Sequence, residues 1–210
     1  MRDNNTTINI LKDNIIDMCR RKGWGMNGIQ NPQHVTMAMI VETMELMEHF
    51  VDLTPLAEAA LLSEEMRGER IEIAEEMSDV LMYAMQLMYT LKIDVSKAVC
   101  SEFSDSFTHV SKIKSCIGCP ENGPVMQAMK VSVNSRFVLE AFQWLNDKDV
   151  LKLMDGGLPA VQTEVAEAFA KMFHEIIALA NMLKIDISAS IERKIAIVDK
   201  RVYPEDDPVR

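Results

Sequence analysis

Apolar residues recur at helical spacing along most of the chain. Between residues 33 and 53, five of them follow one another at intervals of four, three, three and four positions, which is the period of one helical face: Met37, Val41, Met44, Met47 and Val51. The pattern predicts a helix that buries this stripe. The same reasoning predicts helices over residues 7–23, 68–91 and 96–114, and no stretch alternates as a strand would. We therefore predict an all-α fold.

A sequence repeat divides the chain into two similar parts. Leu-Lys-Ile-Asp-Val-Ser at residues 91–96 recurs as Leu-Lys-Ile-Asp-Ile-Ser at residues 183–188, a shift of 92 positions without a gap. Such self-similarity indicates a duplication. The shift predicts three further helices, over residues 125–148, 159–183 and 188–201. We expect a first copy over residues 1–114, a linker over 115–124 and a second copy over 125–210.

Charge and composition narrow the class of protein. With 32 acidic and 22 basic residues, the formal charge is −10, which disfavours binding to the phosphate backbone of nucleic acids. The sequence shows neither a signal peptide nor an apolar segment long enough to span a membrane. We expect a cytoplasmic protein without membrane contact whose four cysteines are reduced.

Two pairs of acidic residues are candidates for a metal site. Glu42 and Glu45 are three positions apart on one predicted helix, and Glu76 and Asp79 are three apart on the next, so each pair shares a helical face. Four carboxylates between two helices repel one another unless a cation lies among them, and oxygen ligands favour Mg²⁺ or Mn²⁺. From spacing alone, solvated acids on amphipathic helices explain the pattern equally well.

The second copy serves as an internal control for these acids. At the shift of 92, the residues equivalent to Glu42, Glu45, Glu76, Asp79 and Tyr83 are Asn134, Phe137, Ala168, Lys171 and Glu175. Other acids persist in both copies, as Glu48, Glu72 and Glu75 in the first and Glu140, Glu164 and Glu167 in the second. The selective loss predicts one site, formed by the first copy.

These motifs resemble the MazG-type all-α nucleoside triphosphate pyrophosphohydrolases. The resemblance rests on Glu-x-x-Glu at 42–45, Glu-x-x-Asp at 76–79 followed by Tyr83, Trp24 in the preceding loop, and Ile-Asp-Val at 93–95. In the second copy, Phe-Gln-Trp at 142–144 and the basic stretch from Lys194 to Tyr203-Pro204 are also similar to that family. The order and spacing of these motifs are more specific than any one of them.

The resemblance implies an activity and a set of residues for it. The family works as a dimer, so the two copies would pack as a pseudo-dimer, with a further homodimer possible. The four acids would hold Mg²⁺ or Mn²⁺, and a nucleoside triphosphate would be cleaved to a monophosphate and pyrophosphate, with Glu42 or Glu45 as the base that activates water.

Further residues are candidates for binding the substrate. Trp24 and Tyr83 would contact the nucleobase, although ordinary packing explains aromatic residues as well. Lys194, Lys200 and Arg201 would contact phosphate if the second copy reaches over the first. A solvated helix end, where basic residues favour the helix dipole, is the alternative for these three.

Other functions have weaker support in the sequence. The chain has no glycine-rich phosphate loop and no Glu-x-x-His motif of di-iron bundles, and its single Cys-x-x-Cys, Cys116 to Cys119, has no second pair. The main alternative is a non-catalytic module that binds nucleotides or a partner helix through methionine-rich faces, because methionine suits adaptable surfaces.

Overall fold

The computed structural model describes residues 1–100 and 108–202, and within them every regular element is helical. A short 3₁₀ turn over Asp3–Asn5 precedes ten α-helices in this part of the chain. Their bounds are α1 Ile8–Lys22, α2 Pro32–Val51, α3 Pro55–Leu62, α4 Arg67–Thr90, α5 Val95–Cys100, α6 Val110–Ile117, α7 Pro124–Glu140, α8 Asp147–Met154, α9 Pro159–Met182 and α10 Ile187–Lys200. The all-α expectation is confirmed.

Local sequence signals set the helix ends nearest the candidate site. The side chain of Asn31 accepts hydrogen bonds from the backbone N–H groups of Gln33 and His34, and Pro32 occupies the first turn of α2, where it costs no hydrogen bond. Gly23 ends α1 in the left-handed conformation at φ +70°, which a glycine adopts without strain. The chain therefore turns sharply at Gly23, and Trp24 follows directly.

Helix bounds repeat at the same interval as the sequence. The helices α2, α3 and α4 begin 92 residues before α7, α8 and α9, and α3 and α4 also end 92 residues before α8 and α9. The turns after α4 and α9 match as well, with Lys92 and Lys184 both at positive φ. In the first half α2 packs on α4, and in the second half the equivalent helices, α7 and α9, pack on each other. The helices α2 and α7 are also packed together.

Several predicted boundaries differ from the structure. The helices α3 and α8 were not predicted, and the helix predicted over 125–148 ends at Glu140, before a turn that leads into α8. The helix predicted over 96–114 falls partly on residues 101–107, which lie outside the described residues. The described residues of that range belong to two helices, α5 before the gap and α6 after it. Residues 115–124 were predicted as a linker, but α6 continues to Ile117, so the non-helical connection is 118–123.

The predicted buried stripe of α2 is wrong. Met37 and Val41 are 58% and 54% exposed, and Met44 and Val51 are exposed as well. The face that packs on α4 and α7 carries a second set of residues, which are fully or almost fully buried: Val35, Thr36, Met39, Thr43, Leu46 and Phe50.

Two threonines made this buried face difficult to detect. Thr36 and Thr43 donate hydrogen bonds of 2.7 Å to the carbonyls four residues earlier in α2, so each buried hydroxyl has a partner. Because these two buried positions are polar, the apolar residues of this face do not form an unbroken helical pattern in the sequence.

The buried apolar side chains form one cluster that extends through both halves. The helices α4 and α9 contribute most to it, since about half of each is buried. No helix in the described part of the chain is both long enough and apolar enough to cross a membrane.

Candidate functional site

A cavity of about 380 Å³ opens between α1, α2, α4 and α10. It brings together eight of the nine residues predicted for the site: Trp24, Glu42, Glu45, Glu76, Asp79, Tyr83, Lys194 and Arg201. The ninth, Lys200, does not line this cavity. It is the last residue of α10 and is exposed, so its expected place in the pocket is not supported.

Three of the four predicted metal ligands form a close group. Carboxylate oxygens of Glu42, Glu45 and Glu76 lie within 4.8 Å of one another. Glu42 and Glu45 share a face of α2 because they are three residues apart, and Glu76 meets them because α4 packs along α2. The oxygen Oε2 of Glu76 is buried and has no hydrogen-bond partner among the described residues. Three converging carboxylates are a group that could hold a metal ion.

Asp79 stands apart from that group and is held by a basic residue of the second half. Its carboxylate forms a short ion pair with the ammonium of Lys194, which lies on α10 and is only 7% exposed. Arg201, directly after α10, also lines the cavity. The second half of the chain thus supplies positive charge to an acidic site built by the first half.

The electrostatics of the acidic group favour a positive ligand. Burial and the charges of Asp79, Glu45 and Glu76 raise the pKa of Glu42 to about 7. Burial followed by the charge of Asp79 raises the pKa of Glu76, and burial raises the pKa of Asp79 in spite of its bond to Lys194. The carboxylates are therefore destabilised as anions, and a cation among them would relieve that repulsion.

The other part of the cavity is apolar and aromatic. Trp24, in the loop after α1, is largely buried, and Tyr83 is partly buried one helical turn beyond Asp79 on α4. The apolar side chains that line the same cavity are Ile15, Met18, Cys19, Met82 and Val198. Burial raises the pKa of the Cys19 thiol to about 12, so this cysteine stays protonated and does not act as a nucleophile.

Sequence reasoning missed a polar residue in this cavity, Gln86. It follows Glu76, Asp79 and Tyr83 at intervals of three, four and three, so the helical period that grouped those residues also includes it. It was overlooked because a single glutamine has no chemical signature of its own.

A shallow groove beside the cavity was also missed. Glu45 and Glu76 line both, and His49, Glu69 and Glu48 line the groove alone. The Nδ1 atom of His49 lies 2.5 Å from Oε1 of Glu69. This contact joins α2 to the start of α4, and ligand atoms of His49, Glu69 and Glu72 lie within 4.8 Å of one another.

Of the second-half motifs that carry the resemblance, the basic stretch brings Lys194 and Arg201 to the cavity, whereas Phe-Gln-Trp at 142–144 does not line it. Phe142 is buried in the core, and Trp144 is exposed in the turn after α7. Tyr203 and Pro204 lie outside the described residues. No family model, no curated protein and no solved structure matches the chain, so the resemblance to MazG-type enzymes rests on the motif residues and their spacing.

Proposed function

We propose that this chain is a metal-dependent nucleoside triphosphate pyrophosphohydrolase with one site, formed by α1, α2 and α4 and closed by α10. The observation that supports it is the composition of one cavity. Three converging carboxylates, one of them with an orphaned buried oxygen, lie beside an apolar, aromatic wall and next to the buried Lys194. A nucleoside triphosphate has the matching parts: an anionic chain that binds through cations, and a flat apolar base.

The acidic part of the cavity is suited to Mg²⁺ or Mn²⁺. Glu42, Glu45 and Glu76 would be its ligands, and Asp79 would join them if Lys194 turned from it toward the substrate. When bound, the cation would neutralise the triphosphate and favour ionisation of a water molecule.

The residues of the chain have defined roles in the proposed reaction. Lys194 and Arg201 contact the phosphates, and Trp24 and Tyr83 pack against the base, which places the α-phosphorus near the acids. The oxygen of a water molecule bonds to the α-phosphorus, and the bond from that phosphorus to the bridging oxygen of the β-phosphate breaks. Glu42 or Glu45 accepts the proton of the water, and pyrophosphate leaves with the bonding electron pair.

The second half would be a degenerate copy that supports the site, and the two halves would form a pseudo-dimer within one chain. Two observations favour this arrangement: the helix bounds repeat at the 92-residue shift, and α10 delivers Lys194 to Asp79. A further homodimer of whole chains belongs to the same proposal.

One observation favours the alternative, a non-catalytic interaction module. The outer face of α2 exposes Met37, Val41 and Met44, and the equivalent face of α7 exposes Met129 and Val133. Apolar residues at helical spacing on a surface are typical of a face that binds another helix.

The experiment that tests the proposal is pyrophosphate release from a panel of canonical and modified nucleoside triphosphates, with Mg²⁺ or Mn²⁺. We expect monophosphate and pyrophosphate in equal amounts from at least one substrate, and no release in the presence of a chelator. Orthophosphate and a diphosphate as products would contradict attack at the α-phosphorus. Nucleotide binding without turnover of any substrate would favour the interaction module.

A further inference from the structure

Gln86 is a buried polar residue in the otherwise apolar wall of the cavity. It lies on α4, its side chain is only 2% exposed, and it lines the cavity together with Met82 and Trp24. A buried amide is costly unless it is hydrogen-bonded. Its Nε2 donates to Oε1 of Gln30, in the loop before α2, at 3.0 Å. The bond fixes the plane of the Gln86 amide.

This bond uses one of the two N–H groups of Nε2 and leaves the carbonyl oxygen of Gln86 without a side-chain hydrogen bond among the described residues. Within the described residues, Gln86 makes one side-chain hydrogen bond, and in it Nε2 is the donor. Because Oε1 of Gln30 accepts from the NH₂ end, rotation of the Gln86 amide alone would lose that bond. The cavity wall therefore contains a hydrogen-bond acceptor, Oε1 of Gln86.

The position of Gln86 along α4 separates it from the acidic group. Gln86 is seven positions after Asp79 on α4, which is about 10 Å along a helix. A ligand whose phosphates lie among the acids would extend past Tyr83 and bring its base to Gln86.

The second half shows that the fold does not require this amide. At the shift of 92, Ala178 replaces Gln86 and is buried, and Asn122 replaces Gln30 and bonds instead to Gln127. The glutamine pair exists only in the half that has the acidic group.

We propose that Gln86, positioned by Gln30, determines which base the site accepts, and that it selects bases with an exocyclic amino group. This inference rests on the proposed function. The oxygen Oε1 of Gln86 accepts a hydrogen bond from the amino group of cytosine or adenine. In uracil or hypoxanthine a carbonyl oxygen takes the place of that amino group, and two acceptors would face each other without a proton between them.

Matched amino and keto substrates test this inference: CTP against UTP, and ATP against ITP. We expect wild-type kcat/KM to favour the amino member of at least one pair by about 10-fold or more, since a site that hydrogen-bonds a substrate group rejects the analogue that lacks it. Gln86→Met keeps the volume and removes the acceptor, so the preference should fall by about 10-fold. The change should appear in KM, with kcat altered by less than about twofold.

Two further variants make the result specific. Gln30→Met leaves Gln86 in place but releases its amide, and it should weaken the preference in the same direction through KM. Gln127→Met is the matched control, because Gln127 is a fully buried glutamine of the second half whose amide donates to the backbone carbonyl of Glu175. It should leave the preference unchanged.

The outcomes distinguish this inference from the proposed function. Turnover by the wild type with equal or greater activity on the keto substrates would overturn the role of Gln86 and leave the pyrophosphohydrolase proposal intact. An unchanged preference in a folded Gln86→Met protein, judged by its thermal unfolding, would do the same. If the wild type turns over none of the four substrates, and none of the wider panel, both proposals are wrong.

Discussion

The cleft between α2 and α4 and the equivalent cleft between α7 and α9 have matching helix bounds and different chemistry. In the first, Glu42, Glu45 and Glu76 converge on a cavity. In the second, Ala168 fills the position of Glu76 and is buried, and Gln127 bonds across the cleft to Glu175. The same packing is thus reached with the acids and without them, which argues that the acids are not required for folding.

Several positions are buried and apolar in both halves. Phe50 and Phe142 are equivalent and both buried, as are Leu46 and Val138. The free energy of unfolding should therefore depend on similar residues in each half, whereas activity should depend on residues of one half.

The largest expected effect is on turnover. Glu45→Ala or Glu76→Ala should lower kcat by at least about 1,000-fold, because each removes a ligand or base next to the reacting phosphorus. Glu140→Ala and Glu164→Ala, in the second half, should leave it largely intact. Steady-state pyrophosphate release from folded variants is the measurement, and equal losses from both halves would exclude a single site.

The second-largest expected effect is on the free energy of unfolding, and it should be similar for equivalent residues of the two halves. Phe50→Ala and Phe142→Ala should each lower the free energy of unfolding by about 3 to 5 kcal/mol, because each leaves a cavity in the shared core. Urea denaturation measures it. A small effect of Phe142→Ala beside a large effect of Phe50→Ala would show that the second half is not packed as the first is.

A smaller effect should appear in the way the stability of the metal-free protein depends on pH. The pKa of Glu42 is raised from its ordinary value of 4.5 to about 7, so the folded state binds more protons than the unfolded state between these values. Stability should therefore fall as the pH rises from about 4.5 to about 7 and change little above it. Glu42→Gln should stabilise the protein at pH 8 in a chelator by about 1 kcal/mol, after allowance for solvent screening.

Thermal unfolding across this pH range measures the effect. The control is Glu140→Gln, an exposed acid in the second half, which should leave the profile unchanged. A Glu42→Gln protein that is less stable than wild type at pH 8 would contradict the repulsion inferred among the acids.

The smallest expected effect concerns Lys171, which replaces Asp79 in the second half. Lys171→Asp should not create a second metal site, because Asn134, Phe137 and Ala168 leave the other ligand positions without carboxylates. Glu167 and Lys171 are four residues apart on α9, a spacing that favours an ion pair, but no ion pair joins these two described residues. The change in stability should therefore stay within about 0.5 kcal/mol.

Calorimetric titration with Mn²⁺ completes this test. The heat of binding should correspond to one acidic cluster per chain, disappear in the Glu45→Ala/Glu76→Ala double variant, and not double in Lys171→Asp. Full binding by the double variant would place the metal elsewhere.

The sequence by itself determined the long helices and which acids share a helix face. The caps at Asn31 and Gly23, the 92-residue repeat and the three-residue spacing of Glu42 and Glu45 are local, and helical geometry converts them directly into bounds and faces. For that reason, Glu42 and Glu45 share one face of α2, and Glu76, Asp79 and Tyr83 share one face of α4.

Only the tertiary structure decided which faces meet. The helix α2 has two stripes with helical period. The stripe with Thr36 and Thr43 is buried, and its hydroxyls bond to their own helix, whereas the opposite stripe is exposed apart from Met47, which is partly buried. The contact of Lys194 with Asp79 and that of Gln86 with Gln30 join residues more than 50 positions apart. Side-chain spacing determines what lies on a helix face, but the packing of several helices determines what that face contacts.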